Sequence, residues 1–408
     1  VDDTITVLRG GTVCDVETAE ARRADIALED GSIREIGRQL RAPEGATEID
    51  ASGTFVIPGL IDAHVHVTAG TADLAAQAEY SPYYVAAQTQ GILHGMLSRG
   101  FTSVRDVGGA DHGIAAAVGE GLWAGPRVFF GGKALSPSSG HADLRSAGRQ
   151  VLDNHVCCPN IGTVADGVDA VRRACREQLR TGADHLKLML SGGVASPTDR
   201  VDSLQFSADE IEAAVEEAAN ANRYVTGHAY TARAVNRGLE LGLRSIEHGN
   251  LIDASSVELF LEHDAFLVPT LVTYEYLHSE GAEAGLPPAS QAKVGDVLEA
   301  GLHALDLASR GGVKIALGTD LLGAMHRHQS QEFRIRAQVQ SAPDILRSAT
   351  LVGAELVEQT GTLGILAEGA AADLVLLRAD PLEDAHVLAT PEQHVRMVVQ
   401  RGRVVHEG

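Results

Sequence analysis

The chain has 408 residues, 44% hydrophobic and 22% charged, with 33 Lys and Arg against 55 Asp and Glu for a formal net charge of −22. A chain of this length and apolar content buries a large core, which excludes a disordered protein or a small disulfide-stapled fold. The negative balance argues against nucleic acid or an anionic membrane as partner, because both need cationic patches, and favours a small molecule.

Four cysteines, Cys14, Cys157, Cys158 and Cys175, show no CxxC spacing. Reduced, structural residues are expected, with redox activity of the vicinal pair Cys157-Cys158 as the alternative. No apolar run reaches the ~18–20 residues of a membrane span. Val1-Asp2-Asp3 lacks a basic-then-apolar signal, so a cytoplasmic location is expected unless a leader was removed ahead of residue 1.

Residues 4–57 alternate apolar and polar side chains, as in Ile5-Thr6-Val7-Leu8-Arg9 and Ser32-Ile33-Arg34-Glu35-Ile36, between the turn signals Gly10-Gly11 and Asp30-Gly31. That period of two predicts half-buried strands and hairpins. The texture returns only at residues 372–377 and 396–405. The two chain ends are therefore expected to build one small β-sandwich domain, which also relieves unpaired sheet edges. The boundaries this implies are 1–57 and 366–408 for the small domain, around a central unit of 58–365.

The central unit repeats helix, glycine, then an apolar strand ending in a polar residue. The pattern appears at Ser98–Asp106, Arg180–Leu190, Leu241–His248 and Arg310–Asp320. Helix starts are marked: Ser207 stands three before Glu210 as a capping box, followed by Ile211, Ala214, Val215 and Ala218 at helical spacing, with Glu212, Glu216 and Glu217 as the expected solvated face. Strands at Val56–Ala63, Val128–Gly131, Tyr224–Gly227 and Ala265–Thr270 bring the total to eight. Eight βα units predict an α/β fold, a (β/α)8 TIM barrel, with a doubly wound open sheet as runner-up; no GxGxxG follows an early strand.

In such a barrel chemistry sits at the C-terminal strand ends. His64 and His66 are two apart, so a strand presents both imidazoles to one side, where one metal ion would accept them. His228, His248, Lys187 and Asp320 fall at other strand ends. Lys187 stands inside the apolar run His185-Leu186-Lys187-Leu188-Met189-Leu190. A buried lysine has a lowered pKa and a nucleophilic amine, which carbon dioxide would convert to an anionic carbamate able to bridge two cations.

These residues carry a resemblance. The segments VIPGLIDAHVHV, HLKLMLSGG, TGHAY, SIEHGN, ALGTDLLGAMHRHQSQEF and GILAEGAAADLVLL resemble the amidohydrolase superfamily, in its prolidase-like branch of dipeptidases and carboxypeptidases beside the imidazolonepropionase-like enzymes. The resemblance spans essentially the whole chain. It implies two divalent metal ions, zinc by family habit, with His64, His66 and Asp320 on one, His228 and His248 on the other, and a carbamate on Lys187 bridging them.

The activity so implied is amide hydrolysis of small substrates with a free C-terminal carboxylate, first Xaa-Pro dipeptides (prolidase) or N-acyl amino acids. Asp320 would take the proton of the attacking water and pass it to the leaving amine. His141, in Ser139-Gly140-His141-Ala142, resembles the position that meets the scissile carbonyl and would stabilise the oxyanion. Tyr230 would hold the substrate carboxylate. Arg327 has the guanidinium for a bidentate grip on it, packing over the barrel mouth being its alternative. Other readings are a carboxypeptidase for basic C-terminal residues, a cyclic-amide hydrolase of imidazolonepropionase or lactamase type, and a metal-binding scaffold without activity. Homo-oligomeric assembly is a further implication of the resemblance.

Overall fold

The alternating N-terminal stretch forms β1 (Thr6–Asp15), β2 (Glu20–Glu29), β3 (Ser32–Gly37), β4 (Thr47–Asp50) and β5 (Phe55–Pro58) in the computed structural model, which describes residues 5–145, 148–150, 159–196 and 199–408. Ten strands follow: β6 (Leu60–Val65), β7 (Phe101–Asp106), β8 (Arg127–Phe130), β9 (Ala134–Ser136), β10 (Gly162–Val164), β11 (His185–Met189), β12 (Tyr224–Thr231), β13 (Ser245–Leu251), β14 (Phe266–Val268) and β15 (Lys314–Ile315). The chain ends in β16 (Leu374–Leu377), β17 (Val395–Gln400) and β18 (Arg403–Glu407). Cys157 and Cys158 lie outside the described residues; Cys14 and Cys175 are free and buried.

Both chain ends enter one eight-stranded sheet, ordered β18-β17-β16-β5-β1-β2-β3 with β4 paired to β1. The period of two explains how it is buried. Leu374 and Leu376 of β16 join Ile26, Leu28 and Val56 on one face. Val375 and Leu377 join Leu97, Phe101 and Ile345 on the other, where the sheet meets the central unit. Each such aliphatic side chain contributes roughly 1.5–3 kcal/mol.

The strand expected at Val56–Ala63 is two strands with a switch of partners. Pro58 pairs with Leu374, Gly59 N–H donates to Asp373 O, and Leu60 N–H already donates to Gly100 O. A side chain at Gly59 would place its Cβ 2.0 Å from Thr102 Oγ1, so glycine lets the chain cross between the sheets.

Among the described residues the central strands pair in parallel, as β6-β7-β8 and as β10-β9-β11-β12-β13-β14-β15. Backbone hydrogen bonds link the two sheets at both margins: Asp184 N–H donates to Phe130 O at 2.8 Å, and Ala63 N–H to Leu317 O at 2.7 Å. The architecture is thus α/β with parallel sheets and helices in the connections. Strands β6, β7 and β11 are buried at every position, as parallel strands covered on both faces require. The helix Ala208–Asn220 begins with the expected capping box at Ser207 and Glu210. Its Glu217 is a correction to the solvated face: it is 6% exposed and held by Arg172 and Arg176 at 2.8 and 2.7 Å. Among the described residues no helix is long and apolar enough to cross a membrane.

Candidate metal centre

His64 and His66 emerge from the end of β6 with alternate residues on one side, and both Nε2 atoms face Asp320 Oδ1, at 3.3 and 3.2 Å. One donor atom from each of the three lies within 4.8 Å of the others, a group able to hold an ion. Asp320 follows the irregular end of the β15 segment. Its N–H and that of Thr319 both donate to His64 O, at 2.8 and 3.1 Å. Buried Asp62 braces the same turn, accepting from Thr319 Oγ1 at 2.6 Å and Gln329 Nε2 at 2.8 Å. Asp320 and His248 adopt φ of +52° and +76°, a region non-glycine residues rarely occupy and which collects at functional sites.

His228 on β12 and His248 on β13 complete the cluster, for those strands are neighbours with Ala229 opposite His248. Ring centroids lie 4.5 Å apart for His228 and His248, and 4.9 Å apart for His64 and His248. Each ring has one nitrogen engaged away from the cluster. His66 Nδ1–H donates to Gly108 O at 2.7 Å, and His228 Nε2–H to Gly192 O at 3.3 Å. His64 Nδ1 meets Glu247 at 2.7 Å, and His248 Nδ1 meets Thr270 Oγ1 at 2.8 Å. The opposite nitrogens are therefore left as ligands.

Burial holds His228 and His248 well below the ordinary imidazole value, hence neutral. Burial would raise Asp320, but the adjoining His64 and His66 hold its carboxyl well below the usual range. Lys187, on β11 opposite Thr226, is 2% exposed and its Nζ has no hydrogen-bond partner. Burial lowers its pKa to about 8. An orphaned buried amine in one cavity with four clustered imidazoles and a carboxylate is the observation that fits a metal centre: the donors are those of borderline divalent ions, and an amine without a partner invites an added one.

One cavity unites these groups. His64, His66, Lys187, His228, His248 and Asp320 line it with His141, Tyr230 and Tyr274, facing an aliphatic wall of Leu74, Leu144, Ile161, Val194, Leu277 and Leu322. His141 stacks on His228 with centroids 4.2 Å apart, and its Nδ1 lies 2.8 Å from Ser196 Oγ. Ser196 Oγ donates in turn to Asp199. Tyr274 donates to the Tyr230 hydroxyl at 3.1 Å. Burial pushes Tyr230 well above the usual phenol value, so it stays a donor.

Arg327 is the sequence-derived candidate that the fold does not bring to the cluster. Its side chain is 55% exposed, it pairs with Glu280 at 2.7 Å, and it is absent from the cavity lining. The five-residue run from Met325 to Gln329 includes a turn of 3-10 helix, which directs neighbours outward and inward; Met325, His326 and Gln329 are buried, His326 bonded to Ala69 O at 3.1 Å, while Arg327 points out.

Sequence reasoning passed over Glu247, Arg105, Tyr274 and the Ser196–Asp199 pair. Arg105 and Glu247 are fully buried and joined at 2.6 Å inside the sheets. For these two the signal was present, a charge inside an apolar strand, as at Lys187; Tyr274 stands in a helix and Ser196 and Asp199 in a loop, where that signal does not exist.

Parallel strands ending in four imidazoles, an aspartate and a buried lysine define a candidate metallohydrolase. The chain belongs to the amidohydrolase family, whose model matches residues 55–405, and the resemblance drawn from the motifs is borne out. It is 31% identical over 410 residues to ochratoxinase of Aspergillus niger, covering 95% of this chain and 84% of that one. A solved prolidase complexed with N-methylphosphonate-L-proline superimposes with a TM-score of 0.97 at 48% identity, covering 99% of this chain and 100% of that chain. A Xaa-Pro dipeptidase with methionine bound in its active site gives 0.88 at 27% identity, with the same coverage. The protein is thus a hydrolase of this family.

Proposed function

We propose that the chain is a binuclear metal-dependent hydrolase of Xaa-Pro dipeptides or N-acyl amino acids, its two parallel sheets forming a (β/α)8 barrel over residues 58–365 between the halves of the small β-domain, 1–57 and 366–408. The observation that carries it is the single cavity in which His64, His66, Lys187, His228, His248 and Asp320 meet. Its likeness to a prolidase complexed with a proline analogue supports the substrate class.

His64, His66 and Asp320 would hold one ion, His228 and His248 the other, with Lys187 as a carbamate between them and zinc as the expected metal. When bound, such ions lower the pKa of water toward neutrality and polarise the carbonyl. Asp320 accepts the proton of the attacking water on a carboxylate oxygen and returns it to the leaving nitrogen. His141, held at Nδ1 by Ser196 with Asp199 behind it, lines the cavity beside His228 and would meet the oxyanion. Tyr230 accepts from Tyr274, which frees its own O–H for the substrate carboxylate. The aliphatic wall takes the acyl side. Asp320 is the one carboxylate among the described lining residues, and its engagement with two histidines leaves no acid for a basic side chain, against the basic-residue carboxypeptidase. Buried free thiols at Cys14 and Cys175 suit a reducing, cytoplasmic setting.

The test is metal analysis followed by an amine-release assay on Xaa-Pro, Xaa-Arg and N-acyl amino acids. Two ions per chain, loss of turnover on chelation and recovery with Zn2+ are expected. Turnover of other amides with none of Xaa-Pro would overturn the prolidase assignment.

A further inference from the structure

We infer that Glu247, anchored by Arg105, is the positioning residue of the metal centre, fixing the His64 ring so that Nε2 faces the ion; the inference rests on the metal reading above.

Of the four clustered imidazoles, His64 is the one whose remote nitrogen meets a carboxylate, Glu247 Oε2 at 2.7 Å. The others lean on neutral oxygens of Gly108, Gly192, Thr270 and Tyr274. Glu247 itself is immobilised. Its Oε1 accepts from Arg105 Nη2 at 2.6 Å, from the Thr226 hydroxyl, and from Ser245 Oγ at 3.3 Å. Arg105 also donates from Nε to Ala63 O at 2.6 Å, gripping the backbone of the residue before His64. One ion pair therefore sets both the ring and the main chain of the same ligand, with Glu247 and Arg105 at 0% and His64 at 1% side-chain exposure.

The chemistry needs an ionised acceptor here. A carboxylate accepting Nδ1–H fixes the tautomer with the lone pair on Nε2 and makes the imidazole a stronger donor to a cation. Arg105 neutralises the buried anion, so the pair orients the ligand without adding net charge beneath the cluster. Such outer partners are worth ~10–100-fold in metal affinity.

The test is Co2+ titration of metal-free protein, followed by ligand-field absorption with circular dichroism as the fold control. Glu247→Gln leaves the Arg105 charge buried and unpaired, so its failure to fold would be unsurprising. Glu247→Asp keeps that charge balance but withdraws the carboxylate from His64 by one methylene. The expected result is a folded Glu247→Asp protein that binds one Co2+ like the unaltered chain and the other ~10–100-fold more weakly with an altered spectrum. Wild-type affinities and spectrum in that variant, or equal weakening at both sites, would overturn the inference. An unaltered chain that takes up no Co2+ would instead overturn the metal reading beneath it.

Discussion

Replacing Gly193 by alanine tests whether His141 acts from its observed position. An ideal Cβ at residue 193 falls 2.1 Å from His141 Cε1, 2.3 Å from Nδ1 and 2.5 Å from Nε2. Non-bonded carbons settle at ~3.5–4.0 Å, so the ring and the added methyl must part by roughly 1.5 Å. The ring cannot slide into His228, already stacked on it at 4.2 Å. Gly193 is not among the residues with positive φ, so the backbone itself accepts alanine. A misplacement of about 1 Å costs ~10²-fold in rate, and loss of an oxyanion donor ~10²–10³-fold. The expected outcome is kcat lowered ~10²-fold in Gly193→Ala with metal content unchanged. His141→Ala should lose as much, and the double variant no more than the worse single, because both changes remove one contact. Wild-type kcat in Gly193→Ala, or a double variant whose losses multiply, would refute the reasoning.

Asp320→Asn keeps an oxygen for metal but no base, so metal analysis should find both ions while kcat falls ~10²–10⁴-fold; near-normal turnover would remove Asp320 from proton transfer. Tyr230→Phe should raise KM ~10–100-fold for substrates with a free carboxylate, the worth of a hydrogen bond to a charged group, and should leave carboxamide analogues unaffected. Burial opposes ionisation of Asp199, but His141, Ser196 and Lys293 outweigh it and lower its pKa from 3.8 to about 2. The resulting stability, on the order of 2 kcal/mol, is present above the unfolded-state pKa and is lost as pH falls through the folded value. Urea denaturation should therefore show Asp199→Asn less stable than the unaltered chain near neutrality, with the gap closing below about pH 4; a gap independent of pH would refute the assignment.

The strands were legible where one physical rule governed them. Alternation marked the half-buried strands near the N-terminus, whereas β16 is buried on both faces, Leu376 against one core and Val375 against the other. His64, His228 and His248 were legible where apolar runs give way to polar side chains, and Lys187 as a charge standing inside such a run. The three-residue strands Ala134–Ser136 and Gly162–Val164 were not legible. Runs so short carry no period, and their pairing, β10 to β9 and β9 to β11, is a tertiary fact. Arg327 lies away from the cavity for a related reason. Sequence proximity to Asp320 gave no information on the direction of a 3-10 turn, and Glu280, 47 residues away, captures the guanidinium.

A deeper rule joins the residues that were read to those that were missed. Lys187, Arg105 and Glu247 are all charged groups inside otherwise apolar strands, fully or nearly buried, and each such group must be neutralised or partnered where it stands. Arg105 and Glu247 satisfy one another and, through Ala63 O and His64 Nδ1, fasten the first ligand pair. Lys187 Nζ, alone of the three, has no hydrogen-bond partner. The fold thus completes the charge balance below the cluster with its own side chains and leaves it incomplete at the cluster itself. The carbamate and cations proposed above would complete it.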